Sequence, residues 1–147
     1  TVLAALARHP GDTLVVDFGT ATSFDCVTPD RRFIGGSIMP GLRTAAEQLV
    51  RKAAKLTATE LVPPSRAIGR RTDEHIRGGV LFGTADAVDG MIRRIRAEWP
   101  TDATPRVIAT GGLASLVAPL TTSVDGVEAD LTLHGILVAA ESLGLVG

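Results

Sequence analysis

The sequence is poor in several kinds of residue, and each shortage narrows what the chain can do. It has one cysteine and no tyrosine, and aromatic residues make up only 3% of its 147 positions. A lone thiol, Cys26, excludes an internal disulfide and a cysteine-built zinc cage. The five aromatic residues, Phe18, Phe24, Phe33, Phe82 and Trp99, are too dispersed for a base-stacking platform. Neither sign of charge dominates: 15 basic residues stand against 16 acidic ones, a net charge of −1, with no block of like charge. That balance argues against nucleic acid or an anionic membrane as the main partner. No apolar run approaches the roughly 18 residues that a bilayer span requires. His9, His75 and His134 show no metal-ligand spacing and read as solvated or capping residues. Thirteen of the 15 basic residues are arginine, which reads as coding bias rather than as anion binding. Cys26 alternates with apolar neighbours and reads as buried and inert.

What is present suits one globular domain with an aliphatic core: 45% of residues are hydrophobic and 21% charged. A chain of this length buries roughly two-thirds of its unfolded surface. Thr1 to Arg8 reads as the end of a helix, closed by His9-Pro10-Gly11-Asp12. Thr13 to Phe18 is a short apolar run between turn residues, hence a buried strand. The alternating Ala21 to Val27 and the run Arg32 to Ile38 flank the turn Thr28-Pro29-Asp30-Arg31, which predicts a three-stranded antiparallel meander.

Helices follow. From Pro40-Gly41 the apolar positions Leu42, Ala45, Ala46, Leu49, Val50 and Ala53 fit a period near 3.6. Leu56 to Ser65 contains Pro63-Pro64 and reads as a loop. Thr72, followed by Asp73 and Glu74, reads as the N-cap of a long helix running towards Trp99. Gly78, Gly79 and Gly83 weaken that helix by about 1 kcal/mol each relative to alanine, a cost suited to places of close backbone approach. Arg106 to Thr110 reads as a strand, Leu113 to Ala118 as a short helix, Ser123-Val124-Asp125 as a last short strand, and Leu131 to Leu143 as a closing helix. The order predicts an α/β domain with a mixed sheet and helices packed on it.

Four stretches could carry chemistry. In Asp17-Phe18-Gly19-Thr20-Ala21-Thr22 an acid ends a buried strand and a glycine turn leads to hydroxyls. Backbone N–H groups and threonine hydroxyls there can hold phosphate oxygens while the carboxylate positions a cation. The same residues also suit an ordinary hairpin. Ala109-Thr110-Gly111-Gly112-Leu113 lies at a strand-to-helix junction, where two glycines allow close approach of a ligand or simply make a tight turn. Ile68-Gly69-Arg70-Arg71-Thr72 runs into a helix start. Gly35-Gly36-Ser37-Ile38-Met39-Pro40-Gly41 lets a strand pass close to other backbone. Asp17 and Asp25 are candidates to share a site.

Their order is more specific than any one of them. An Asp-x-Gly-Thr hairpin followed some ninety residues later by a strand ending in Thr-Gly-Gly resembles the nucleotide-binding half of the actin, sugar-kinase and chaperone ATPase superfamily. The wording VVDFGTATSFDCV, GGSIMPGL, IGRRT, ATGGLA and LTLHGI is similar to type III pantothenate kinases, from about Leu14 to Leu143. That resemblance implies a ribonuclease H-like (actin-like ATPase) fold and ATP-dependent phosphorylation of pantothenate, with Mg2+ and a monovalent cation, K+ or NH4+. It implies that Asp17 binds the monovalent cation and that Gly19 and Thr20 form the ATP phosphate turn. It also implies that Gly111 and Gly112 form the adenosine turn, and that Thr72 contacts pantothenate from the neighbouring subunit of a homodimer. Ser23 stands where the family usually carries threonine, and keeps the hydroxyl.

The family also has an N-terminal domain with an Asp-x-Gly-Asn-Thr phosphate loop, and a Gly-x-Asp-Arg motif whose aspartate is the general base. Neither occurs here. The expectation is therefore a C-terminal half, residues 1–147, with the catalytic aspartate upstream of Thr1 and no kinase activity on its own. The resemblance further implies a cytoplasmic enzyme with neither nucleic acid nor membrane as partner. Two other readings stay open: a non-catalytic kinase-like binding or regulatory domain, and a sugar kinase of the same superfamily.

Overall fold

The computed structural model describes residues 1–53 and 55–145. Helix α1 (Val2–Arg8) leads into strands β1 (Thr13–Phe18), β2 (Ala21–Val27) and β3 (Phe33–Pro40). Helices α2 (Leu42–Lys52) and α3 (Thr72–Ala97) follow, then β4 (Arg106–Thr110) and α4 (Ala114–Val117) with a 3-10 turn at Ala118–Leu120. The two-residue strand β5 (Gly126–Val127) and helix α5 (Leu131–Ser142) complete the order. The meander, the long helix and the loop between α2 and α3 stand where the sequence predicts them.

The five strands form one sheet in the order β3-β2-β1-β4-β5. Strands β1, β2 and β3 pair antiparallel, whereas β4 runs parallel to both β1 and β5. The alternation of β1 sorts its side chains between two helix layers. Leu14, Val16 and Phe18 point to one face with Phe24, Cys26, Val107 and Ala109, and pack on Leu42, Leu81, Ala85, Val88, Ile92, Ala114 and Val117. The α3 members recur at the three- and four-residue spacing of a helix stripe. Val15 and Ile108 point to the other face, under Ala4, Ala5 and Leu131. Fully burying each large aliphatic side chain contributes about 1.5–3 kcal/mol, so this double-sided core holds the sheet rigid.

One local expectation needs correction. The last strand is Gly126–Val127, not Ser123–Asp125. The Ser123 and Thr122 N–H groups are held by the Asp89 carboxylate instead of a ladder. Asp125 meets β4 twice, its N–H donating to the Val107 carbonyl at 2.9 Å and its Oδ2 accepting the Val107 N–H at 2.8 Å. His9 is the C-cap residue of α1, its N–H donating to the Ala5 carbonyl at 2.8 Å, and its ring is engaged rather than solvated. Its Nε2 lies 2.8 Å from Glu128 Oε1, and Glu128 also takes Arg8, which pairs with Asp130 through both guanidinium nitrogens. The helix glycines divide as well. Gly78 faces the Ala67 carbonyl, where an added Cβ would sit at 3.3 Å, but Gly79 and Gly83 have open space.

Cys26 is buried as expected, and burial, with the Asp25 charge adding to it, pushes its thiol up to about 11.

Candidate functional site

Parallel pairing brings the carboxyl ends of β1 and β4 side by side, with Asp17 opposite Thr110 in register. Ligands of open α/β sheets collect at such strand ends. Each strand runs directly into a glycine turn, Gly19-Thr20 after β1 and Gly111-Gly112 after β4, so topology places the two turns next to each other.

The two turns are tied to one another and to α2. The Leu113 N–H donates to the Phe18 carbonyl at 3.2 Å. The Thr20 carbonyl accepts from the Gly41 N–H at 3.1 Å and from the Thr44 hydroxyl at 2.8 Å, which fixes the orientation of the turn. Gly111 has φ +91, and a Cβ there would collide with the Asp17 carboxylate and the Phe18 backbone. Only glycine allows β4 to end this close to β1. Gly41 is equally constrained, because a Cβ would strike the Gly19 and Thr20 carbonyls.

Between the turns lies a cleft of about 460 Å³ lined by Phe18, Gly19, Thr20, Arg43, Thr44, Glu47, Gly112 and Leu113. A larger hollow of about 610 Å³ shares Arg43, Glu47 and Leu113 with it and has an apolar floor that includes Ala46, Leu61, Ile76 and Leu116. Of the residues predicted for a site, Gly19, Thr20 and Gly112 line the cleft. Asp17 and Gly111 do not line it but directly precede the lining residues Phe18 and Gly112. Thr72 lines neither cavity, and Asp25 sits on the neighbouring strand β2, paired with Val15. Arg43, Thr44 and Glu47 escaped the sequence reading. The signal was there in Gly41-Leu42-Arg43-Thr44, a polar first helical turn directly behind a glycine that must pass against the hairpin.

Asp17 projects to the face of α1 and α5. Its Oδ2 accepts from the Thr1 hydroxyl at 3.3 Å, and no Lys, Arg or His pairs with it among the described residues. Beside it, the Thr110 hydroxyl is wholly buried and has no hydrogen-bond partner. An unpaired buried hydroxyl costs about 1–3 kcal/mol. One carboxylate among neutral oxygens is a donor set of low charge, which fits a monovalent cation. Among the described residues no three His, Cys, Asp or Glu side chains gather as a metal cage. Asp25 shares the face of Asp17, and burial, with the Asp17 charge adding to it, raises its carboxyl above the ordinary value.

Thr72 is the first residue of α3 and not its cap. The preceding Arg71 is extended, at φ −128 and ψ 156, and no side chain caps the helix. Glu74 reaches back to take the Arg70 N–H at 2.7 Å, and Arg71 pairs with Asp73. These contacts hold both carboxyls below their usual range. The Thr72 side chain is left at the surface with no capping role.

Residues 1–94 match the family model described as type III pantothenate kinase. A curated relative of that name from Thermomicrobium roseum is 48% identical over 141 residues, covering 96% of this chain and 54% of the relative. Another from Desulfatibacillum aliphaticivorans is 44% identical over 137 residues, covering 92% and 52%. The chain thus spans about half the length of the curated relatives it matches. Among solved structures, a conserved Baf family protein from Campylobacter jejuni superposes with a TM-score of 0.66 at 18% identity, over 98% of this chain and 63% of that one. The activator of the 2-hydroxyisocaproyl-CoA dehydratase from Clostridium difficile, solved with bound ADPNP, gives 0.57 at 14% identity, over 99% and 68%. Likeness at these identities shows the fold alone, and the fold is that of the actin-like ATPases.

Proposed function

The chain belongs to the type III pantothenate kinase family, and on that premise we propose that residues 1–147 are the C-terminal actin-like domain of a two-domain kinase. The whole enzyme transfers the γ-phosphoryl group of ATP to the primary hydroxyl of pantothenate, giving 4′-phosphopantothenate in the first step of coenzyme A synthesis. The observation that carries this reading is the cleft itself, in which a Gly-Thr hairpin turn and a Gly-Gly turn face each other across two parallel strand ends.

In this reading the Gly19-Thr20 turn holds phosphate oxygens through the Thr20 hydroxyl and backbone donors, kept in place by the ties to Gly41 and Thr44. The Gly111-Gly112 turn takes the adenosine, with the apolar hollow past Leu113 open to the base. The Arg43 guanidinium at the neck of the two cavities pairs with phosphate charge. Phosphoryl transfer relies mainly on positioning and charge stabilisation, which is what these groups supply. Mg2+ carried in on the nucleotide and a monovalent cation, K+ or NH4+, held by Asp17 supply further neutralisation of phosphate charge when bound. The general base that takes the pantothenate proton is contributed from outside these 147 residues. Thr72, free of any cap and away from its own cleft, contacts pantothenate in the partner subunit of a homodimer. A cytoplasmic location follows from the pathway.

Assay of the full-length protein with ATP and pantothenate tests the reading. It should form phosphopantothenate, and residues 1–147 alone should form none. Sugar phosphorylation without pantothenate turnover would overturn the assignment, as would nucleotide binding with no phosphorylation of either. Arg43→Gln should raise the KM for ATP about tenfold while the KM for pantothenate stays put, the loss expected for one charge-assisted hydrogen bond. Thr72→Ala should show the converse.

A further inference from the structure

We infer that the Thr110 hydroxyl is a second protein ligand, beside Asp17, of the monovalent cation. The inference rests on the reading that Asp17 holds that cation and adds to it a residue on a different strand. Three observations converge on it. Thr110 stands opposite Asp17 in the parallel register of β1 and β4, so both side chains leave the sheet on the same face. Its Oγ1 is wholly buried and finds no partner among the described residues, although a buried hydroxyl is normally paired. Asp17 in turn is a half-buried carboxylate with no basic side chain against it, and buried charges are ordinarily paired or bound to metal.

An orphan acceptor next to an unneutralised acid, on strands about 4.8 Å apart, is what a cation bridging the two would explain. Oxygen ligands suit a hard cation, and a hydroxyl adds a donor without adding charge, which keeps the set suited to one positive charge. The other orphan threonine hydroxyl, that of Thr22, makes a useful contrast. Thr22 pairs with Phe18 and Met39 on the opposite face, away from Asp17, and has no part in this site.

The test uses the full-length protein, with melting temperature followed in KCl and in choline chloride at equal ionic strength, and Tl+ as an NMR-visible probe of binding. A ligand that binds only the folded state raises the melting temperature in proportion to its affinity. Thr110→Val keeps the shape and removes the oxygen. It should weaken K+ and Tl+ binding by about tenfold or more, the order seen when metal-site groups are lost, while Thr110→Ser retains binding. In choline the valine variant should melt at or above the wild type, because an unpaired hydroxyl has been removed. A wild-type K+ response in Thr110→Val would overturn the inference, as would a marked loss of stability in choline, since that would mean the hydroxyl has a protein partner. Asp17→Asn separates the two levels. If it too keeps the K+ response, the cation reading of Asp17 fails. If it loses the response while Thr110→Val keeps it, only the role of Thr110 fails.

Discussion

Asp25 holds its proton to higher pH than an ordinary aspartate, because burial disfavours the ionised form and the Asp17 charge adds to that. The folded protein therefore keeps a proton that the unfolded chain, with an ordinary value of 3.8, has already released. Its contribution to stability is complete below the unfolded value and is lost as pH rises through the folded one. Near neutrality the carboxylate is a liability, so Asp25→Asn should raise the melting temperature there and change it little in acid below the ordinary range. Gly111 carries the opposite kind of constraint. With φ +91 and the Asp17 carboxylate where a Cβ would stand, Gly111→Ala should cost about 2–3 kcal/mol, read by denaturant unfolding, and abolish nucleotide binding. Both glycine turns were legible in the sequence, because glycine next to an acid or at a strand end has few other uses. Arg43 was not. Composition does not single it out among thirteen arginines, and its place just behind Gly41 gains meaning only once that glycine is seen against the hairpin.

Among the elements, α3 does more than pack. Its Asp89 takes the Thr122 N–H at 2.8 Å, the Thr122 hydroxyl at 2.7 Å and the Ser123 N–H at 3.0 Å, holding the segment between the 3-10 turn and β5. Burial alone would raise the Asp89 carboxyl, but these donors outweigh it and set it below its ordinary value. The stability it lends is thus present above the unfolded pKa and is lost as pH falls through the folded one. Asp89→Ala should cost about 1–2 kcal/mol, discounted for partial exposure, and should speed amide exchange at Thr122 and Ser123. This contact also explains why the last strand was misplaced by sequence. Ser123-Val124-Asp125 has strand-like chemistry, but an aspartate 34 residues earlier claims the Ser123 N–H. The start of α3 shows the same lesson. Thr72 before two acids looks like a cap, but the helix begins behind an extended Arg71 with no side-chain cap, and Glu74 ties back to the Arg70 N–H.

For the whole molecule, the apolar run of β1 and the period-two pattern of β2 announced the sheet, and the 3.6 period announced α2. The assignment of faces depended on pairing that a linear reading does not contain. Helix α5 illustrates the gap. Its run Leu131 to Leu137 is rich in apolar residues, yet Leu131 and Gly135 alone of those seven are fully inside, and Leu133 and Ile136 stand 71% and 62% exposed. Sequence could state that apolar residues abound, but not which of them the sheet would cover.

The parallel junction of β1 with β4 has one more consequence. Thr110 directly precedes the Gly-Gly turn and Asp17 stands two residues before Gly19, so any ion seated between them braces the floor on which both nucleotide-binding turns rest. The ion and the nucleotide are then heterotropic effectors of each other, and linkage makes the effect reciprocal. Calorimetric titration of ATP with and without K+, and of K+ with and without nucleotide, should give the same factor of mutual tightening. A nucleotide affinity that ignores the cation would mean that the two strand ends hold their spacing unaided.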